Sequence, residues 1–105
     1  MPEKCTFCRL AKGEIEFPGT FWEDEHHISF LSGHPNTLGF SVVIPKKHFG
    51  SDVLLMPDED LSQLLIATKK VSSILVNFFD DVGRVGTITE GLGIDHAHVK
   101  IFLMY

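Results

Sequence analysis

The clearest periodicity in the chain runs over residues 58–80. Leu61, Leu64, Leu65, Thr68, Val71, Leu75, Phe78 and Phe79 recur at helical spacing, which predicts one long helix with a core-facing stripe. Gln63, Lys69 and Lys70 form its polar side. Asp58 stands where an N-cap belongs, and Glu59 and Asp60 complement the helix dipole. A shorter helical stretch at 5–12 is closed by Gly13, which supplies a left-handed stop at little cost. Strands are predicted at 20–22 and 27–31, separated by the acidic turn Glu23-Asp24-Glu25. A buried strand follows at 40–44, ended by Pro45. Two more strands are expected at 84–89 and 96–104. Along the last, Ala97, Val99, Ile101 and Leu103 share one face, and His96, His98, Lys100, Phe102 and Met104 the other. The sum is α+β: a mostly antiparallel five-stranded sheet, one long helix and a short N-terminal helix.

Composition narrows the class. The 105 residues, 44% of them hydrophobic, suit a single domain over 1–105. A chain of this size buries roughly 65% of its unfolded surface, so a core without disulfides is expected. Nine basic against 14 acidic residues leave a net charge of −5. That excludes binding to a nucleic-acid polymer through bulk positive charge, and a polybasic membrane anchor. No apolar run approaches the ~20 residues that span a bilayer. The N-terminus lacks the charged-then-apolar order of a signal peptide, so a cytoplasmic location is expected.

The polar inventory then changes the picture. There are only two Cys but six His. Cys5-Thr6-Phe7-Cys8 reads as half of a metal site, ahead of a redox pair or two buried thiols. Alternate residues on a strand stand ~6.5–7 Å apart, so His96, His98 and Lys100 form a row of two imidazoles and an ammonium. Gly91 and Gly93 precede them, and glycines let backbone N–H groups approach an anion closely. Anion, nucleophilic imidazole and cation belong together in phosphoryl or nucleotidyl transfer.

In order along nearly the whole chain stand Cys5-Thr6-Phe7-Cys8, Gly13-Glu14-Ile15, Trp22-Glu23-Asp24-Glu25, Val42-Val43-Ile44-Pro45-Lys46-Lys47-His48 and His96-Ala97-His98-Val99. This succession resembles the histidine triad (HIT) superfamily, and within it the Hint-like, protein-kinase-C-interacting-protein branch. The resemblance implies that His98 is the nucleophile. It would attack the α-phosphorus of a purine nucleotide phosphoramidate or dinucleoside polyphosphate to give a nucleotidyl-histidine that water hydrolyses. It also implies that the carbonyl of His96 fixes the His98 tautomer. Gly93, His96, Lys100 and Ser32 fall at substrate-binding positions. Cys5, Cys8, His48 and His96 match a structural zinc shell of some relatives, a closed Cys₂His₂ set. A homodimer joined through sheet and long helix is expected on the same ground.

The chain departs from the family pattern at several positions. The third triad position is Lys100 rather than His, and an ammonium cannot accept a proton at neutral pH. Ser32 replaces an Asp that contacts ribose, and Phe40 replaces a His. Thr89 stands for an Asn, and Leu92 and Gly93 for a Gln-Ser pair. The alternatives are therefore a nucleotide-binding module with weak or no catalysis, and a zinc-stapled interaction domain. His26, His27 and His34 have no role in this frame. Successive strand residues face opposite ways, so at most one of His26 and His27 would face any one site. These histidines and the Lys46-Lys47 pair are assigned to surface or packing.

Overall fold

A computed structural model of the chain describes residues 5–16, 19–32, 39–92 and 94–105. Helix α1 (Thr6–Ala11) leads to strands β1 (Thr20–Glu23), β2 (His27–Leu31) and β3 (Ser41–Pro45). A single 3₁₀ turn (Val53–Leu55) precedes the long helix α2 (Asp58–Phe78), and β4 (Arg84–Ile88) and β5 (Val99–Met104) close the chain. The strands form one five-stranded sheet in the order β1-β2-β3-β5-β4, antiparallel at every pairing, as the sequence led us to expect. No helix among the described residues is long and apolar enough to cross a membrane.

Strand alternation gives the sheet two covered faces. Val43, Val99, Ile101 and Leu103 pack under α2 with Leu64, Ala67, Val71 and Leu75. Val42 and Ile44 point the other way, where Ile28 and Phe30 join Phe7, Leu10 and the two cysteines of α1. A turn nucleated by Asp24 links β1 to β2. Its carboxylate accepts the backbone N–H groups of His26 at 2.8 Å and His27 at 2.6 Å. Gly13 takes the expected left-handed conformation after α1, with φ 78°.

Several expectations shift. Pro57, not Asp58, is the N-cap of α2, with no side-chain cap bond. Proline has no side-chain acceptor for the free N–H groups of the first turn, so Pro57 offers only its carbonyl, which accepts the Leu61 N–H at 2.9 Å, and Asp58, Glu59 and Asp60 act on the helix dipole. The buried stripe is narrower than the apolar pattern. Leu64, Ala67, Thr68, Val71 and Leu75 are buried, whereas Leu65 is 51% exposed and Phe78 76% exposed. Leu65 lies about 100° around the helix from Leu64. Phe79 continues in extended conformation past the helix and packs on the core in place of Phe78.

The last strand also starts later. Hydrogen-bonded pairing begins at Val99, and His96 to His98 form a lead-in held by Ala97 N–H to the Phe49 carbonyl at 2.8 Å. The in-out alternation nevertheless runs on through it. His96 and His98 do not face solvent but lie buried beneath α1. Truncating Leu64 to Ala should cost about 2–5 kcal/mol in urea unfolding, against under about 1 kcal/mol for Leu65→Ala. Equal losses would contradict the observed helix rotation.

Candidate functional site

The N-terminal helix is folded around its own cysteines. Cys5 is the N-cap of α1, and its sulfur accepts the Cys8 backbone N–H at 3.3 Å. One helical turn then brings both thiols to one side. Pro45 ends β3, and three residues on His48 returns toward the same point. His96 arrives from the lead-in to β5. The Cys8 sulfur lies 3.1 Å from Nδ1 of His48. Nδ1 of His96 lies 3.3 Å from each sulfur. The four ligand atoms fall within 4.8 Å of one another. A tetrahedral zinc with bonds of about 2.3 Å to sulfur and 2.0 Å to nitrogen would hold such atoms ~3.5 Å apart. Four residues more than 40 positions apart in places thus converge at nearly coordination spacing, and the donor set fits a borderline-soft divalent ion.

Hydrogen bonds fix the tautomers. Nε2 of His96 lies 2.7 Å from the Pro45 carbonyl, which can only accept, so Nε2 carries the proton and Nδ1 presents its lone pair to the thiols. Burial favours the neutral ring and lowers its pKa. Nδ1 of His98 lies 2.7 Å from the carbonyl of His96. In the neutral ring that bond puts the proton on Nδ1 and the lone pair on Nε2, the form a nucleophile needs. Burial and the neighbouring Cys5 thiol push the Cys8 thiol up to about 11.

The structure places the remaining sequence-derived residues as follows. Lys100 lies on the same side of the sheet as His98, but its ammonium is bound by the Glu90 carboxylate. Ser32 follows β2 and donates its N–H to Phe40 at 2.9 Å. Through the register His98 is level with Ile44, so Ser32 and His98 are offset by about 13 Å along the strands. Gly93 and His34 lie outside the described residues. Gly91 takes a positive φ of 74°, and a Cβ there would meet the Ser51 carbonyl at 2.8 Å. Asp95 accepts the Ser51 N–H at 2.9 Å, and that bond holds its carboxyl below the usual range. The segment leading into His96 is thereby tied to the segment leaving His48.

Sequence reasoning did not single out Phe7, Glu90 or the Pro45 carbonyl. Phe7 was visible only as an apolar residue between the cysteines. Glu90 left no signal, because the strand pattern does not tell which face is covered and so whether Lys100 needs a partner. A backbone acceptor leaves none.

The two leftover histidines are not split between sites. β2 begins at His27, so His26 belongs to the turn and escapes strand alternation. Both line a cleft of 360 Å³ with Lys46, Lys47, Phe49 and Gln63, which touches neither His96 nor His98. Lys46 is paired with Glu23, and Lys47 lies over the Phe49 ring.

No family model matches the chain. An uncharacterised HIT-like protein of Methanocaldococcus jannaschii is 32% identical to it, over 96% of this chain and 79% of that protein. The chain belongs to the histidine triad (HIT) superfamily. Another relative, an adenosine 5'-monophosphoramidase of Danio rerio, is 34% identical over 100% of this HIT chain and 68% of its own length. The crystal structure of a Streptococcus mutans protein superposes with a TM-score of 0.87 at 27% identity, over 97% of this chain and 66% of that one. This HIT chain therefore spans between 66% and 79% of the length of these three proteins.

One acid-side consequence follows from the β1–β2 turn of this HIT fold. Burial lowers the His27 pKa from 6.5, although Asp24 Oδ1, 3.2 Å from its Nδ1, opposes that. Burial would raise the Asp24 pKa, but the two backbone N–H donors and His27 outweigh it and lower it from 3.8. Both folded values are depressed, so both groups stabilise the fold above their unfolded pKa values, and the stability is lost as pH falls. The His27 loss begins near pH 6.5 and the Asp24 loss near 3.8. His27→Gln should flatten the fall in unfolding free energy between pH 6.5 and 5 relative to wild type. Parallel profiles for the two proteins would contradict the assignment.

Proposed function

We propose that this chain hydrolyses purine nucleotide phosphoramidates or dinucleoside polyphosphates through a nucleotidyl-histidine on His98. The observation that carries the reading is the 2.7 Å bond from Nδ1–H of His98 to the His96 carbonyl, which in the neutral ring puts the lone pair on Nε2. Adenosine 5'-monophosphoramidases among the relatives support the phosphoramidate class of substrate. In the first step the Nε2 lone pair attacks the α-phosphorus, and the bond from phosphorus to the leaving group breaks. The leaving group keeps that electron pair and takes a proton from solvent water, which the proton released in the second step restores. In the second step water attacks phosphorus, the Nε2–P bond breaks, and neutral His98 returns with a nucleoside monophosphate and a proton. Nδ1 stays protonated throughout, and the His96 carbonyl stabilises the positive charge that builds on the ring.

Lys100 does not serve as a base, because it is cationic and held by Glu90. Its role is electrostatic, toward phosphate oxygens. Ser32 supplies the ribose side and Gly93 a backbone donor. Asp95 stays ionised and acts only as a tie between loops. A second copy of the chain joins through the sheet and the long helix α2; β1 and β4 are the two edge strands.

The Cys5, Cys8, His48 and His96 centre takes zinc as a structural ion. A Cys₂His₂ shell leaves no open position, so the ion would supply no Lewis acid to the phosphate. It would tie α1 to the sheet.

A second reading, binding of a nucleoside monophosphate without turnover, is favoured by the Lys100–Glu90 pair alone, since that pair occupies the third triad position.

Turnover of adenosine 5'-phosphoramidate should fall by a factor on the order of 10³ or more in His98→Ala and His98→Asn, with the fold intact. Equal rates in variant and wild type would remove His98 from the chemistry. Calorimetric binding of AMP without any turnover by the wild type would favour the second reading. Metal analysis should find one zinc per chain. Cys5→Ser should lose it, and the unfolding midpoint should drop by about 10 °C or more. A chain purified without chelator that holds no metal would sink the zinc assignment.

A further inference from the structure

We propose that α1 is a positioning element for His98, so that loading of the Cys5, Cys8, His48 and His96 centre and ordering of the His98 ring are a single event. This rests on the readings of that centre as a metal site and of His98 as the nucleophile.

Two arms run from the four-ligand centre to the nucleophile. The first is Phe7. It stands between the two cysteines, so its position follows from theirs. Its ring meets His96 edge-on at a centroid distance of 5.9 Å and His98 edge-on at 5.6 Å. The second is His96. Its side chain faces both sulfurs through Nδ1, while its backbone carbonyl receives the Nδ1–H of His98. One residue therefore ends at the metal ligands on one side and at the nucleophile's tautomer on the other.

The helix that carries the first arm cannot stand alone. It has six residues, and isolated helices shorter than about 12 are marginal in water. Its docking depends on Cys5, Phe7, Cys8 and Leu10, and two of those four are metal ligands. An ion bound to all four ligands adds covalent-strength ties between α1, the segment after β3 and the lead-in to β5. Without it, α1 is held by packing and weak thiol contacts alone, and Phe7 leaves His98 when α1 lifts. The ring then turns about its χ angles, and the bond to the His96 carbonyl opens. Phe7 is in this sense a positioning residue for His98, with no contact to the reacting phosphorus required.

The test uses the full chain with ¹⁵N-labelled histidine and long-range proton–nitrogen spectra of the imidazoles. In the zinc-loaded protein, His98 should show two well-separated nitrogen shifts, one protonated and one not. Removing zinc with a chelator should collapse that separation toward an averaged value, and returning Zn²⁺ should restore it. His26, outside both arms, should not move. Phe7→Leu should keep its zinc and still show the averaged His98 pattern, whereas Phe7→Tyr should keep both zinc and the separated shifts. If zinc removal unfolds the chain, the zinc-retaining Phe7→Leu protein decides the matter. An unchanged His98 pattern in Phe7→Leu would overturn the proposal. So would an unchanged pattern after zinc removal while His48 and His96 shift, or failure of the chain to take up zinc. No substrate enters this experiment, so its failure is distinct from failure of His98→Ala to abolish turnover.

Discussion

Both ring nitrogens of the buried His96 have partners, and those partners lie in different parts of the chain. Nε2 donates to the carbonyl of Pro45, where β3 ends. Nδ1 faces the sulfurs of α1. The bond to Pro45 decides the tautomer, and the tautomer decides that a lone pair rather than a proton meets the thiols. Its own carbonyl then sets the tautomer of His98. Were the His96 proton on the other nitrogen, the Pro45 carbonyl would be buried without a donor and the thiol centre would lose a ligand. Either loss costs about 1–3 kcal/mol or more.

The sheet makes this arrangement possible. Alternation along β5 commits Val99, Ile101 and Leu103 to the α2 side. That commitment drives His96 and His98 to the opposite side, where α1 is the helical cover among the described residues. A six-residue helix contributes little packing area, and it compensates with chemistry, placing two sulfurs and an aromatic ring against two imidazoles. The loop ahead of His96 is fixed by Asp95 on Ser51 and by the close approach of Gly91 to the same residue.

Much of this was legible in the order of residues. The strand count, the long helix and the antiparallel sheet follow from periods of two and of 3.6. The stripe of Leu64, Val71 and Leu75 is read correctly, but Leu65 and Phe78 are not, because an apolar arc wider than its contact face leaves the rotation undetermined. The late start of β5 was hidden, since alternation persists in an extended lead-in that lacks ladder bonds. Burial of His96 and His98 was hidden too, because nothing in a strand pattern tells which face a short, distant helix covers. Convergence of Cys5, Cys8, His48 and His96 came from family resemblance alone, as gaps of 40 and 48 residues carry no spatial information. The Lys100–Glu90 pair needed the β4–β5 connection, which the sequence leaves as an unstructured turn.

The central claim is that Nε2 of His98 forms a bond to phosphorus. Intact-protein and peptide mass spectrometry after an alkaline quench during turnover of adenosine 5'-phosphoramidate reads that bond directly. An adenylyl adduct confined to the peptide that carries His98 is the expected result. Steady turnover with no adduct at any quench time, or an adduct on His26 or His48 instead, would contradict it.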